Sequence, residues 1–125
     1  MKNSKLCKVC ALCFLSVLIL STFGAKSAFA KWKSYSFFNY SGHIVKYLYI
    51  TATGYDSWGK DLLGSSVLGS GDSVSLRYND KYCYYDVKVV FSDGDDLIFR
   101  KSDFRNVWRK TLFHRSGTTY TLKSN

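Results

Sequence analysis

The most regular feature of the chain is the alternation of apolar and polar residues along short stretches. From Ser73 to Tyr78 every second residue is apolar and the others are serine or arginine, which is typical of a strand with one buried face. The stretch CYYDVKVVF at 83–91 is the strongest strand prediction, because it concentrates aromatic and β-branched residues. Further strands are predicted at residues 35–40, 44–53, 96–101, 107–114 and 118–122, with a brief edge strand at 67–68. Turn residues separate these stretches and no helical period is present. The sequence therefore predicts one all-β domain, a small antiparallel β-sandwich or small barrel of about seven strands.

The sequence does not determine how the predicted strands at 83–91 and 96–101 pair in their hairpin. The Asp-Gly pair at 93–94 indicates a turn, but residues 97–99 are all apolar, so hydrophobicity does not select one pairing. A two-residue loop would place Val89 opposite Ile98, and a three-residue loop would place it opposite Phe99.

The stretch SWGKDLLG at 57–64 predicts a compact loop that pins two strands together. It combines a large apolar ring, glycines that permit turning backbone, and an acid that can accept backbone N–H groups. Its residues with a predicted structural role are Trp58, Gly59, Asp61, Leu63 and Gly64. The preceding strand, 44–53, is largely apolar on both faces, which predicts a central strand covered on both sides.

Residues 1–30 have the organisation of a secretory signal peptide. A lysine-rich start is followed by an apolar run at 9–23, too short to span a membrane comfortably, and by Ala-Phe-Ala at 28–30. We therefore expect cleavage after Ala30, a mature domain of residues 31–125 and a secreted or periplasmic location, with no membrane span left. Loss of the four lysines in residues 1–30 lowers the formal net charge from +9 to +5.

Three motifs together resemble a family of small secreted bacterial all-β proteins that carries no settled activity. The motifs are W-G-x-D-x-L-G at 58–64, G-x-S-V at 71–74 and C-x-Y-D-V-K-V-V-F-x-D-G at 83–94. The resemblance covers roughly residues 44–113 and implies a small all-β domain. In members of that family, a second cysteine often follows the position that matches Asp103, and the resemblance implies that it pairs with the cysteine that matches Cys83. This chain is basic there, near Arg105, so Cys83 is expected to be a free thiol.

Residues that could carry enzyme chemistry are sparse. His43 and His114 lie in different segments with no Cys or Glu at ligand spacing, so we interpret them as surface or turn residues rather than zinc ligands. Cys83 opens a strand with no base near it in sequence, so it is expected to be a buried inert thiol or, alternatively, to form a disulfide between chains. The sequence thus predicts a protein that is not an enzyme and needs no cofactor.

Every acidic residue is aspartate, which favours turns and caps over helix interiors. Asp86 lies in the middle of the strongest strand, where a buried carboxylate would need donors from a loop backbone, an indole N–H or an arginine. Together with the motif residue Tyr85 it is interpreted as structural. An alternative use of the acids is a Ca²⁺ site at one end of the sandwich, formed by Asp56, Asp61, Asp93, Asp95 and Asp96.

The excess positive charge lies in one segment, residues 100–115, where it is interleaved with aromatic residues. The basic residues of this segment are Arg100, Lys101, Arg105, Arg109, Lys110 and Arg115. If 107–113 is a strand, Arg109 and Lys110 fall on opposite faces, so the charges need not form one patch. We predict a non-enzymatic binding module that engages an anionic polymer or surface through this segment. Nucleic acid is the less favoured partner of a secreted protein.

Two alternatives to this function remain open. The first is a structural or inhibitory domain that binds another protein, and the second is the Ca²⁺-binding sandwich. The sequence leaves the oligomeric state open.

Overall fold

The computed structural model describes residues 31–125, and the predicted signal peptide lies outside the described residues. Seven strands are present: β1 (Trp32–Tyr40), β2 (Val45–Ala52), β3 (Ser73–Asn79), β4 (Tyr84–Phe91), β5 (Asp96–Asp103), β6 (Arg109–Ser116) and β7 (Thr119–Ser124). The predicted edge segment at 67–68 forms an isolated bridge between Leu68 and Val45. This part of the chain contains no helix of the length and hydropathy needed to cross a bilayer.

The strands form two sheets that pack as a small β-sandwich, which confirms the predicted fold class. The four-stranded sheet has the order β3-β1-β6-β7, and the three-stranded sheet has the order β2-β4-β5. One pair departs from the antiparallel expectation, because β1 and β6 run parallel, with Phe37 opposite Lys110. A parallel pair needs a long connection, and here the connection contains the whole three-stranded sheet.

The core between the sheets combines aliphatic side chains with a cluster of four aromatic rings. Phe104, in the loop before β6, has its ring centroid 5.3 Å from those of Tyr35 and Tyr78 and 4.9 Å from that of Tyr85. The first two contacts are edge-to-face, an arrangement that adds about 0.5–1.5 kcal/mol per pair beyond the burial of area. All four rings are buried. This aromatic cluster therefore adds to the aliphatic side chains in the core of a small domain.

The predicted loop at 57–64 lies along the free edge of β2. Asp61 Oδ1 accepts hydrogen bonds from the backbone N–H groups of Leu48 (2.9 Å) and Leu63 (3.1 Å). The N–H of Leu62 donates to the carbonyl of Leu48 at 2.7 Å. β2 is thus an edge strand, and this loop supplies hydrogen-bond partners to backbone groups on its free edge. The prediction of a central strand covered on both sides is wrong, because β2 lies at the edge of its sheet and no strand within residues 31–125 packs over its outer face.

The β4–β5 hairpin has a register that neither sequence alternative contained, since Val89 pairs with Leu97. The N–H of Phe91 donates to the carbonyl of Asp95 (2.8 Å), and that of Gly94 donates to the carbonyl of Phe91 (3.0 Å). These bonds close a three-residue loop at 92–94. Its last residue, Gly94, has φ of 99°. A left-handed last residue is what such a loop requires, and glycine supplies it without a steric cost.

Candidate functional site

The outer face of the three-stranded sheet carries large rings where a solvated sheet face would carry small polar residues. Tyr47 and Tyr49 of β2 lie opposite Val90 and Lys88 of β4, on the side away from the core. The ring centroids of Tyr47 and Tyr49 are 6.4 Å apart, and those of Tyr49 and Trp58 are 6.5 Å apart. Tyr47 is 37% exposed, while Tyr49 and Trp58 are half-buried. The three rings form a row that starts with Tyr47 and Tyr49 on β2 and ends with Trp58 in the loop at 57–64.

Two cations lie against this row of rings. Lys88 Nζ is 5.9 Å from the ring centroid of Tyr49 and 5.8 Å from that of Trp58. Arg100 Cζ is 5.6 Å from the ring of Trp58, and the Arg100 side chain is 64% exposed. A cation at this distance from a ring face is attracted by the ring quadrupole, by about 0.5–1 kcal/mol at exposed sites. Trp58 is therefore held between a lysine and an arginine.

A second group of cations surrounds Tyr84 at the other end of the face. Lys101 Nζ and Arg105 Cζ lie 5.3 and 5.4 Å from the Tyr84 ring centroid. Lys46 Nζ lies 5.3 Å from the ring of Tyr47, the outermost ring of the row. We call the whole surface the aromatic–basic face; its residues are Lys46, Tyr47, Tyr49, Trp58, Tyr84, Lys88, Arg100, Lys101 and Arg105.

A bulge in β5 explains why two consecutive basic residues reach the same face. The β4–β5 register shifts between Tyr85 and Val87, so that Arg100 and Lys101 together oppose Asp86, and Lys101 has φ of 54°. Asp86 accepts hydrogen bonds from Arg100 Nη1 (2.9 Å), the Lys101 N–H (2.8 Å) and Thr53 Oγ1 (2.9 Å). Burial alone would raise the pKa of Asp86, but these bonds and the Arg100 charge lower it below its usual value. The charged Asp86 carboxylate thus holds both the bulge and Arg100 in place.

Two further carboxylates moderate the charge of the face. Asp96 Oδ2 lies 3.9 Å from Lys88 Nζ. Asp103 receives two bonds from the Arg105 guanidinium, at 3.0 and 2.8 Å. The Arg105 bond lowers the pKa of Asp103, with partial burial acting against it. The face is therefore cationic overall but also contains acceptors for hydroxyl groups.

The sequence-predicted basic segment is divided among four places in the fold, one of which is the buried position of Lys110. Its first three cations belong to the aromatic–basic face. Arg109 lies on the outer face of the four-stranded sheet, with Cζ 4.3 Å from the Phe38 ring centroid. Arg115 is exposed near the end of β6. The prediction of one anion-binding segment is therefore corrected, because alternation along β6 and the loop before it separate the charges.

Lys110 is buried between the sheets and cannot contact a partner. Its Nζ donates to Ser102 Oγ (2.7 Å), the Asp103 carbonyl (2.8 Å) and Ser124 Oγ (2.6 Å). The same nitrogen lies 4.5 Å from the Phe104 ring centroid. Burial lowers the pKa of Lys110 to about 8, with the charge of Asp103 acting in the opposite direction. The role predicted for Lys110 as an anion contact is wrong, since three acceptors from β5 and β7 use all of its donors.

The residues interpreted as structural lie in or beside the core. Gly59 and Gly64 both have positive φ, 75° and 63°, as the turns of the loop require. Leu63 is buried beneath the loop. The hydroxyl of Tyr85 donates to the carbonyl of Asn79 at 2.6 Å and accepts from its N–H at 3.1 Å. Trp58 differs from this set, since its ring belongs to the aromatic–basic face.

The aspartates of the predicted Ca²⁺ site are not brought together. Asp61 accepts a hydrogen bond from the N–H of Leu48 on the edge of β2. Asp96 lies beside Lys88, and Asp93 Oδ1 accepts the N–H of Asp95 at 2.9 Å within the hairpin turn. Within residues 31–125, no three His, Cys, Asp or Glu side chains converge as a metal site would require. The Ca²⁺ alternative therefore has no geometric support in this fold.

The histidines lie on the surface, as the sequence predicted, whereas Cys83 differs from its sequence description. His43 and His114 are both exposed, but their ring centroids lie only 6.3 Å apart, and His114 Nε2 lies 2.8 Å from the carbonyl of Gly117. Cys83 is half-buried and disulfide-bonded, which corrects the expectation of a free thiol. That expectation followed from the basic sequence near Arg105, where the resemblance implies a second cysteine.

Sequence reasoning missed Tyr47, Tyr49, Lys46 and Lys88 as members of the face. The usable signal was the stretch 44–53, which is apolar on both faces. A strand with two apolar faces has either two packed layers or one exposed aromatic face, and in a three-stranded sheet of a small sandwich only one layer is present. Tyr47 and Tyr49, with a polar atom at the tip of each ring, favour the exposed alternative.

Comparison with known proteins extends to the fold alone. No protein-family model matches the chain, and no curated protein sequence matches it. The chain is similar in structure to a protein from Eubacterium rectale solved by NMR, with a TM-score of 0.56 and 17% sequence identity, over 81% of this chain and 94% of that one. At this identity the likeness supports the shared small β-sandwich.

Proposed function

We propose that the protein is a secreted or periplasmic, non-enzymatic binding module that holds an acidic polysaccharide on the aromatic–basic face. The observation that carries the proposal is the row formed by Tyr47, Tyr49 and Trp58, with Lys88 and Arg100 against its last ring. The apolar C–H face of a sugar ring packs on an aromatic ring face, whose quadrupole is negative. Lysine and arginine pair with the carboxylates of uronic-acid sugars.

The shape of the face suits a linear polymer. Successive ring centroids are 6.4 and 6.5 Å apart from Tyr47 through Tyr49 to Trp58, and no strand of residues 31–125 packs over them. The cations around Tyr84 extend the surface beyond the row. An extended chain lying across the face would therefore meet rings and positive charges in succession.

The hydrogen-bond acceptors of the face favour an acidic glycan over nucleic acid. Asp96 and Asp103 lie among the cations, at 3.9 Å from Lys88 and 2.8 Å from Arg105. These carboxylates would repel a phosphate backbone and a uronate polymer alike, so the difference between the two partners lies in hydrogen bonding. The carboxylates can accept hydrogen bonds from sugar hydroxyls, which a phosphate backbone offers much more sparsely.

The proposal is tested by calorimetric titration of residues 31–125 with polygalacturonate, a linear polymer of a uronic acid. A Lys88→Gln/Lys101→Gln variant removes two charges from the face and leaves the Arg100–Asp86 pair intact. We expect this variant to bind at least about tenfold more weakly, equivalent to roughly 1.4 kcal/mol.

Two controls separate the face from overall charge. Arg109→Gln/Arg115→Gln removes the same number of charges from elsewhere on the surface and is expected to change affinity by less than about twofold. Methyl-esterified polygalacturonate keeps the sugar backbone without its charge and should bind much more weakly. Equal losses in both double variants would overturn the proposal, as would tighter binding of single-stranded DNA or of anionic vesicles.

A further inference from the structure

A groove of about 300 Å³ opens on the side of the sandwich opposite to β5 and β7, where the end of β2 faces β1 and β3. Its walls include Trp32, Tyr55 and Tyr82, and its floor includes Tyr78 and Tyr85. The volume lies at the lower end of the range for small-molecule sites, about 300–1,000 Å³. The groove therefore fits a single ring better than a folded segment of a partner protein.

The walls are exposed aromatic rings with polar tips. Trp32 is 59% exposed and Tyr55 is 57% exposed. The rings of Tyr55 and Tyr82 meet edge to face at 5.8 Å, and their hydroxyl oxygens are 2.9 Å apart. Exposed Trp and Tyr on either side of a groove provide apolar stacking surface together with hydroxyl groups at the rim.

Arg77 is the only charged residue among the described residues that line the groove. Its Cζ lies 5.6 Å from the ring centroid of Trp32. Within residues 31–125 it forms no ion pair with a carboxylate, because the four ion pairs present involve Lys33, Lys88, Arg100 and Arg105. A ligand in the groove thus meets one uncompensated positive charge beside a tryptophan ring.

The hydroxyls on the floor are already used inside the protein. The hydroxyl of Tyr78 donates to the carbonyl of Val107 at 3.1 Å and accepts from its N–H at 3.2 Å. The hydroxyl of Tyr85 bonds in the same way to Asn79. Hydrogen bonds to a ligand must therefore come from the rim, while the floor offers apolar contact.

We infer that this groove is a second binding site, which takes one sugar ring bearing a carboxylate, such as the terminal uronic acid of an acidic glycan. The ring stacks on Trp32, the carboxylate pairs with Arg77, and the ring hydroxyls bond to the hydroxyls of Tyr55 and Tyr82. A carboxylate on an apolar aromatic ring would use Trp32 and Arg77 but make no hydrogen bond to the hydroxyls of Tyr55 and Tyr82. The inference rests on the proposed function only for the class of ligand, since it involves none of the residues of the aromatic–basic face.

The three tryptophans allow the two sites to be observed separately. Trp32 lies in the groove, Trp58 lies on the aromatic–basic face, and Trp108 is exposed and lines neither site. Each indole N–H gives one resonance in a ¹⁵N–¹H spectrum, assigned by substitution to Phe. Titration of residues 31–125 with the methyl glycoside of galacturonic acid should shift the Trp32 resonance in a saturable way and leave that of Trp108 unchanged.

Charge variants and a neutral sugar complete the test. Arg77→Gln should weaken binding of the acidic sugar at least tenfold, whereas Arg115→Gln, an equal change of charge outside the groove, should not alter it. Methyl galactoside should bind wild type about as weakly as the acidic sugar binds Arg77→Gln. The Lys88→Gln/Lys101→Gln variant should keep full affinity for the monosaccharide even where it loses affinity for the polymer. The proposals for the groove and for the aromatic–basic face are therefore tested independently.

Three results would overturn the inference. One is a Trp32 resonance that does not move at tens of millimolar sugar. Another is an equal shift of all three indole resonances, which would indicate non-specific association. The third is an unchanged affinity of Arg77→Gln for the acidic sugar, which would mean that the charge of Arg77 does not contribute to binding. Because Arg77 is exposed on the outer side of an edge strand, its substitution should leave the fold intact.

Discussion

Two buried tyrosines of the core, Tyr35 and Tyr78, differ in whether the side-chain hydroxyl has a hydrogen-bond partner. Their rings pack edge to face at 5.7 Å, and both are almost fully buried. The Tyr78 hydroxyl is paired with the backbone of Val107, whereas the Tyr35 hydroxyl has no hydrogen-bond partner among the described residues. Burial raises the pKa of both side chains, with neighbouring tyrosines adding to the effect at Tyr35.

We expect Tyr35→Phe to raise the free energy of unfolding by about 1 kcal/mol, because it removes a polar atom that was buried without a partner. Tyr78→Phe should lower it by about 1–3 kcal/mol, because both backbone groups of Val107 then lose their partner. Urea denaturation of the two variants beside wild type measures both effects. A Tyr35→Phe variant less stable than wild type would mean that its hydroxyl is hydrogen-bonded in solution.

At the scale of strands, the sequence predicted the elements well but not the way in which they pair. Alternation, the enrichment of aromatic and β-branched residues, and the turn residues between them together located all seven strands. The β4–β5 register could not be read, since three consecutive apolar residues at 97–99 fit several pairings. The bulge was also hidden, because it depends on a left-handed Lys101 and on Asp86, fifteen residues earlier in the chain.

The candidate site was predicted only in part for the same reason. Arg100, Lys101 and Arg105 were identified from their charge, but the rings beside them come from β2 and its loop. Those contacts exist only once β2 has paired with β4. The sequence likewise could not show that Lys110 is buried, because its acceptors Ser102 and Ser124 lie in two other strands.

The bulge in β5 gives a prediction about Asp86. Asp86→Asn should lower the free energy of unfolding by about 2 kcal/mol, since an amide is neutral and one of its polar atoms is a donor facing Arg100 and the Lys101 N–H. The depressed pKa of Asp86 means that this stabilisation is full above the unfolded pKa and is lost as pH falls through the lower, folded value. Chemical denaturation at neutral and acidic pH should therefore show the two proteins converging in acid.

Asp96→Asn is the matched control for this prediction. Asp96 lies on the same face, but its side chain is 52% exposed and 3.9 Å from Lys88. An exposed pair of this kind contributes about 0–1 kcal/mol. If the two variants lost equal stability, Asp86 would not be the group that holds the bulge.

On the scale of the whole molecule, Lys110 joins the two sheets. It extends from β6 in the four-stranded sheet to Ser102 and Asp103 in the three-stranded sheet, and it also bonds to Ser124 near the C-terminus. Its three donors are satisfied, but no carboxylate lies within ion-pair distance among residues 31–125. The domain therefore contains a buried cation held by neutral acceptors, and its burial opposes the charged form.

This arrangement makes the stability of the domain depend on pH in the alkaline range. The pKa of Lys110 is about 8 in the folded protein, whereas an unfolded lysine has a pKa of about 10.4. Between these values the unfolded chain binds the proton and the folded chain does not, so the free energy of unfolding rises with pH. From pH 8 to pH 10 the rise from this residue should be about 2 kcal/mol.

Urea denaturation of wild type and Lys110→Met across pH 8–10 isolates this contribution. Tyr35, Tyr78 and Tyr85 have raised pKa values, so their ionisation in the unfolded chain lowers stability as pH approaches and passes 10. That loss is common to both proteins and cancels in their difference. The difference in unfolding free energy should therefore move by about 2 kcal/mol in favour of wild type as pH rises from 8 to 10. A difference that stays constant over this range would mean that Lys110 keeps its proton in the folded protein, and that its three neutral acceptors stabilise a buried charge as well as water does.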